Sequence, residues 1–469
     1  MNTIRFEQAI FTSATRASSE GYRLIAASSG IGSAERRVIQ RCAPSHASLT
    51  TASDVARAIS FFALPDGRLC VARSTHVGME QTGRGGRRVY THLLVLAADD
   101  FAAFDSNPFH ILRLAEHAGV LTPDVDASGT LDPIALTPQP DGRAVERVTI
   151  GLDRVEPHRL RYVVERLIAG AKLVVLAPSA AAEIAEAVLL AVPAPMRPEI
   201  SFATGLKFSL TRQFTFHLLE SGDGSPPRRL RGAGLEVLDL TGRQPLPASE
   251  GSDWARMVET LWADRAIDDL LGVSACMQLD TTNDGLDRLA TLTLGMHRIN
   301  KSTRSEAIAA GVRVVGSSSQ TGAETEAVEH FWPRLADRLV TVWPVPQDDA
   351  ARGDWPVVAK WPRRSARVAT HLSKALATLL TRIAGMDPTD AMAQALVLAR
   401  EPGEPWAEVI ETCEATLIER LAAWARSNDD AASSERAPTL AEEWHRVRPD
   451  SVLATETLNA LREQVACLP

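Results

Sequence analysis

The segment Gly83-Arg84-Gly85-Gly86-Arg87-Arg88, running into Val89-Tyr90-Thr91-His92, gathers the side chains best suited to chemistry on a partner. Guanidinium groups bind carboxylate or phosphate bidentately, and glycines let the backbone approach closely. Gly83, Arg84, Gly85, Gly86, Arg87, Arg88 and His92 are therefore the candidate anion- or partner-binding residues. An arginine finger, reaching into a neighbouring protein that hydrolyses a nucleotide, is one use of such a loop. A solvated connection between two strands is the plainer account of the same residues.

Other constellations are incomplete. Ala26-Ala27-Ser28-Ser29-Gly30-Ile31-Gly32 resembles the cofactor loop of short-chain dehydrogenases, where glycines bring amides to a pyrophosphate at a helix N-terminus. Ala26 stands where that loop has its first glycine, and no tyrosine is followed four residues later by lysine: Tyr22, Tyr90 and Tyr162 precede Ala26, Leu94 and Arg166. A structural turn is the better reading. No Gly-Lys dipeptide occurs, so a Walker A loop is missing, and no Gly-x-Ser-x-Gly elbow is present. The histidines lack metal-ligand spacing; His110 and His117, seven apart, could share a helix face, but a lone pair without an acidic partner reads as surface or core histidine. We expect no catalytic residue, no metal and no cofactor from these patterns. The turn-rich Met196-to-Leu206 segment reads as packing between a helix and strands.

Composition narrows the class. The 469 residues suggest about three domains, and 45% apolar with 23% charged residues describes a globular chain. Five dispersed cysteines without a Cys-x-x-Cys pair point to a reducing, cytoplasmic compartment. The apolar runs are too short to span a membrane, and the N-terminus lacks the apolar core of a signal peptide. A net charge of -8 argues against general nucleic-acid binding.

Elements must position these residues. Phe6 to Ser13, Tyr22 to Ala27 and Val89 to Leu96 read as strands, Ala34 to Arg41 as a helix, and Ile59 to Leu64 with Leu69 to Ser74 as a hairpin through Pro65-Asp66-Gly67-Arg68. A Pro- and Asp-rich linker is expected over Thr122 to Asp141. A helix over Arg159 to Ala169, a buried strand from Lys172 to Leu176, a helix from Ser179 to Ala191 and strands at Phe214 to Leu219 and Leu235 to Leu240 make a small α/β layer. All nine tryptophans lie from Trp254 onward, where the helical period dominates. Helices are expected from Asp253 to Leu271, Thr325 to Leu339, Val368 to Ile383, Thr389 to Ala399, Ala407 to Ala425 and Ser451 to Val465, with a polar loop from Ser427 to Ala437. The expected division is thus an α+β N-terminal domain (1–125), an α/β middle domain (146–245) and an all-α C-terminal region (250–469).

Gln8-to-Ser13, Gly21-to-Ala26, Phe62-to-Arg68, the Gly83-to-Arg88 loop and Thr91-His92 are similar to the N-terminal domain of bacterial GTPase-associated proteins. Leu189-to-Pro193, Arg197 and Ile200-to-Gly205 resemble the middle domain of the same family. Together these stretches cover roughly residues 1–245. The resemblance implies a protein encoded beside a GTPase in a regulatory or conflict (defence-like) system, acting as adaptor or regulator, and it assigns no catalytic residue. We expect a non-enzymatic protein whose partner is a GTPase; Trp332, Trp343, Trp355 and Trp361 are further docking candidates. A GTPase-activating protein or other enzyme with a spatially assembled site, and an anion- or nucleotide-sensing module using the Gly83-to-Arg88 loop, are the alternatives.

Overall fold

The computed structural model describes residues 3–16, 19–50, 57–80, 86–212, 214–220, 234–247, 251–301, 326–327, 330–331, 387–399, 406–427, 431–452, 455–457, 459–460 and 463. The chain divides into two compact units, residues 1–287 and 288–469. Among the described residues, no helix is long and apolar enough to cross a membrane.

Alternating and continuous apolar runs in the first unit form one mixed sheet of eleven strands. Its antiparallel part comprises β1 (Ile4–Arg16), β2 (Ser19–Ser28), β3 (Arg57–Ala63), β4 (Leu69–Met79) and β5 (Arg87–Leu96). Short strands β6 (Gly129–Leu131) and β7 (Ile134–Leu136) attach to β2 and β1. The tract expected as a linker over 122–141 therefore contributes to the sheet. Three-residue strands carry too little periodicity to announce themselves. Beyond them come β8 (Leu173–Ala177), β9 (Phe202–Thr204), β10 (Phe216–Glu220) and β11 (Glu236–Asp239), parallel to one another. The order is β11-β8-β10-β9-β3-β4-β5-β1-β2-β6.

The seam between the parallel and antiparallel parts is the pairing of β9 with β3, Phe202 against Phe61 and Thr204 against Ile59. Gly205 follows at φ +71°, and a Cβ there would stand 2.5 Å from the Arg57 carbonyl oxygen, so glycine is required on both counts. The Met196-to-Leu206 segment thus joins the two half-sheets. Phe61 stacks on Phe101 with ring centroids 5.2 Å apart, and Phe202 on Phe109 at 5.1 Å. Each such fully buried ring contributes about 2–3 kcal/mol relative to exposure.

Helix α1 (Ser33–Cys42) covers one face of the antiparallel sheet, where Ala9, Phe11, Ile39, Cys70, Val89 and Leu93 share a core. A 3-10 turn (Ala98–Phe104) and α2 (Pro108–His117) lie on the other. Helices α3 (Ala144–Leu152), α4 (Pro157–Ile168) and α5 (Ala181–Ala191) follow, then α6 (Asp253–Ala263) and α7 (Ile267–Ser274). The helix expected over 253–271 is two, because Arg265 adopts a left-handed backbone (φ 57°) between them. The Trp254 indole N–H donates to the Ala191 carbonyl at 3.1 Å, tying α6 to the end of α5.

Two polar assemblies fasten this layer. Arg197, 1% exposed, donates to the carbonyls of Val192, Leu190, Asp105 and Ser274 at 2.8–3.2 Å. Burial lowers its pKa to about 9, which leaves it charged at neutral pH. Around Glu186 on α5, Arg113 donates at 2.8 and 3.1 Å, Arg147 at 3.2 Å and the Asn107 amide at 2.8 Å. Both arginines also bind Asp141. Burial alone would raise the Asp141 pKa, but the Arg147 hydrogen bond and both guanidinium charges outweigh it and hold the carboxyl below its ordinary value.

In the second unit most of the described residues are helical: most of α8 (Asn283–Lys301), then α9 (Pro388–Ala399), α10 (Trp406–Ser427) and α11 (Ala431–Val447). The last three pack on one another. Trp444 is fully buried and its N–H donates to Glu414 Oε1 at 2.7 Å. Helix α11 begins inside the stretch expected as a loop over 427–437, since its Ala and Glu content favours helix once Trp444 has a core to enter. The fold is thus an α+β half with a mixed sheet, followed by a region dominated by helices. Trp332, Trp343, Trp355, Trp361 and the helix expected over 368–383 lie outside the described residues, as does most of the one expected over 325–339.

Candidate functional site

Gly83, Arg84 and Gly85 lie outside the described residues; Gly86, Arg87, Arg88 and His92 are placed at and beyond the start of β5. Strand β4 reaches this end through an irregular register between His76 and Met79, where Gly78 takes φ +60°. Met79 then pairs with Arg87, and the Glu80 N–H donates to the Gly86 carbonyl at 2.9 Å. Gly86 has φ +85°, and a Cβ on it would stand 3.2 Å from His46 Cε1. The histidine ring therefore occupies the space that only glycine leaves.

Beneath the hairpin lies a buried carboxylate. Glu80 accepts from Ser13 Oγ at 2.6 Å and from the Tyr22 hydroxyl at 2.8 Å. The Tyr22 oxygen in turn accepts the Val89 N–H at 3.0 Å, and Thr12 Oγ1 donates to the Val89 carbonyl at 2.8 Å. Burial, reinforced by Glu80, raises the Tyr22 pKa against the opposing Val89 hydrogen bond, so the group stays a phenol donor. These contacts bind the first residues of β5 to β1 and β2. They also fix the direction in which Arg87 and Arg88 leave the backbone.

The two arginines differ. Arg87 is partly exposed, and Met79 opposite it is 68% exposed. Arg88 is only 8% exposed, its Nε is sealed from solvent without an acceptor, and its guanidinium makes no hydrogen bond or ion pair among the described residues. Its charge is felt by Tyr22. An unsatisfied buried donor costs about 1–3 kcal/mol, more when charged.

His92 sits apart. Four residues farther along the strand is about 13 Å, and the ring is buried with Nε2 2.9 Å from Gln8 Oε1. Burial, with the Arg73 charge, lowers its pKa to about 4, so it carries no charge at pH 7. The structure therefore sends Arg87 and Arg88 to opposite faces at the start of β5 and leaves His92 in the core of the sheet. Sequence reading missed Ser13, Tyr22, Glu80, His46 and Met79. Only the apolar Met79, directly after Gly78 and a few residues before the arginine run, offered a local signal.

The dehydrogenase-like loop is occupied by the protein itself. Glu35 reaches back from the first turn of α1 and accepts the Gly32 N–H at 2.6 Å, the place an anion would take. Arg68 clamps Glu35 at 2.5 Å, Asp66 at 2.7 Å and the Gly30 carbonyl at 2.9 Å. Gly30 lies against Glu7: a Cβ would stand 2.6 Å from the Glu7 carboxyl carbon, and that side chain would have to shift. His110 is buried in α2 with Nδ1 3.4 Å from an Asp105 carboxylate oxygen, while His117, two turns and about 10 Å farther along, is exposed, so the two rings are not brought together. A cavity of about 510 Å³ opens between the 3-10 turn and residues 138–140, with Asp100 and Asp105 on its wall and none of the candidate residues. Among the described residues, no group of histidine, cysteine and carboxylate side chains is placed to hold a metal ion.

Residues 5–140 match the family model for GTPase-associated protein 1, N-terminal domain type 2. The match takes in β1 to β7 and the whole described hairpin. No curated protein matches the chain.

Proposed function

We propose that the protein is a non-enzymatic adaptor or regulatory partner of a GTPase in a bacterial regulatory or conflict system. The observation that carries this reading is the match of residues 5–140 to a GTPase-associated N-terminal domain. The hairpin with Arg87, Arg88 and exposed Met79 lies inside the matched stretch and supplies residue types enriched at protein interfaces. The buried Glu80 network holds those residues on a rigid sheet, which lowers the ordering cost of docking.

The test is a pull-down of the GTPase encoded beside this chain, using the full-length protein, in GDP, GTP-analogue and nucleotide-free states. Recovery in at least one state is expected, with single-turnover GTP hydrolysis unchanged. Recovery in none overturns the proposal; faster hydrolysis replaces an adaptor with an activator.

A further inference from the structure

Within the partner-binding reading above, on which this inference rests, the hairpin holds one feature that docking in general does not explain. Arg88 is nine-tenths buried yet has no acceptor among the described residues. Among the described residues of the first unit, the other arginines this deeply placed are satisfied at least in part. Arg197 has its ring of carbonyls, and Arg212 donates to Ser48 Oγ and the Lys207 carbonyl at 3.1 and 2.9 Å. Folding alone gives no return for keeping a guanidinium in this position, because a methionine or leucine fills such a space without the desolvation cost.

Of the three guanidinium nitrogens of Arg88, Nε is sealed from solvent without an acceptor, and the terminal pair has no hydrogen-bond partner among the described residues. That leaves the two-nitrogen edge, which matches a carboxylate, as the accessible part. The backbone around it is fixed by the Val89 contacts to Tyr22 and Thr12, and the Met79 thioether stands exposed across from Arg87. Side chains alternate along a strand, so Met79 and Arg87 lie on the face opposite Arg88.

We infer that Arg88 is the receptor for an Asp or Glu carboxylate on the acidic face of the partner protein. The partner supplies the acceptor that the described residues lack. Because the site is already desolvated, the pair forms without the full cost of burying a fresh cation. Ser13, Tyr22 and Glu80 are positioning residues for this edge.

The test uses the full chain and a fluorescein-labelled hexaglutamate peptide as the probe, with hexalysine as the control, followed by fluorescence anisotropy. Wild type is expected to bind hexaglutamate and not hexalysine. Arg88→Met is expected to bind about tenfold more weakly or worse, as loss of one charge-assisted pair requires. Arg88→Lys falls between them, and the exposed-site control Arg243→Gln binds like wild type. Arg88→Met should melt at or above the wild-type temperature. Absence of hexaglutamate binding, or equal binding by Arg88→Met, overturns the inference. So does a marked drop in melting temperature in both Arg88 variants, which would show the guanidinium to be structurally satisfied. GTP or phosphate raising the wild-type melting temperature through Arg88, with no hexaglutamate binding, makes the site a nucleotide or phosphate site and also overturns it. A GTPase recovered equally by wild type and Arg88→Met overturns this site alone, whereas Arg88-dependent hexaglutamate binding with no GTPase recovered overturns the GTPase reading alone.

Discussion

Two glycine-rich loops on the same sheet, residues 28–32 and the hairpin ending at Arg88, look alike in sequence and differ in what they leave undone. In the first, Glu35 takes the free amide of Gly32 and Arg68 neutralises Glu35, so every strong group has a partner inside the chain. In the second, Glu80 is equally satisfied by Ser13 and Tyr22, but the adjoining guanidinium of Arg88 has no partner among the described residues. Glycine and charge together therefore say little about binding. Whether the fold has already used the charge says much more.

The contrast predicts unequal responses. Glu35→Ala breaks the closed loop, removes the return bond to the start of α1 and strips Arg68 of its buried partner. A loss of about 3–5 kcal/mol in urea unfolding of the first unit is expected. A loss below about 1 kcal/mol would make the closure ornamental.

A pH series tests the hairpin strand next. His92 is depressed to about 4 in the folded protein, against about 6.5 in the unfolded chain. The unfolded state binds the extra proton between these values, so stability is complete above about pH 6.5 and falls as pH drops towards 4. His217, also depressed to about 4 by burial, adds a similar term from β10. Each contributes up to about 2 kcal/mol of loss between pH 7 and pH 5. His92→Gln should remove its share of the slope, as read from urea midpoints at the two pH values.

Glu80→Ala comes third. It leaves the Ser13 and Tyr22 hydroxyls seeking water from a largely buried position, at a cost of about 1–3 kcal/mol by thermal or urea unfolding. Binding of hexaglutamate should weaken with it, since Tyr22 and Val89 orient the start of β5. The smallest effect on stability is that of Arg88→Met, within about 1 kcal/mol of wild type or stabilising. If Arg88→Met costs as much as Glu35→Ala, the two loops are not different in kind.

Much of the sheet was legible because its central strands are long and apolar. Val89 to Leu96 and the Phe62-to-Arg68 turn declare themselves through periodicity and turn residues. β6 and β7 do not, since three residues become strands only by meeting β2 and β1 more than a hundred positions away. The break at Arg265 is equally silent, because arginine is a good helix former and its left-handed backbone is imposed by context. For the candidate site, residue type revealed the arginines, but not that His92 points into the core or that Arg88 lies buried. Glu80 meets Ser13 and Tyr22 across 67 and 58 residues, and no local pattern encodes that meeting.

The β9–β3 seam has a consequence for how the chain reaches this state. Contacts there, such as the Thr50 hydroxyl on the Gly205 carbonyl, close 155 residues of chain, whereas β3, β4 and β5 are joined by neighbouring hairpins. Loop-closure entropy and contact order make this closure the slow step and the hairpins the fast ones. A three-residue strand thus sets the timetable of the first unit. Gly205→Ala, which crowds the Arg57 carbonyl, should slow refolding more than any change within the hairpins.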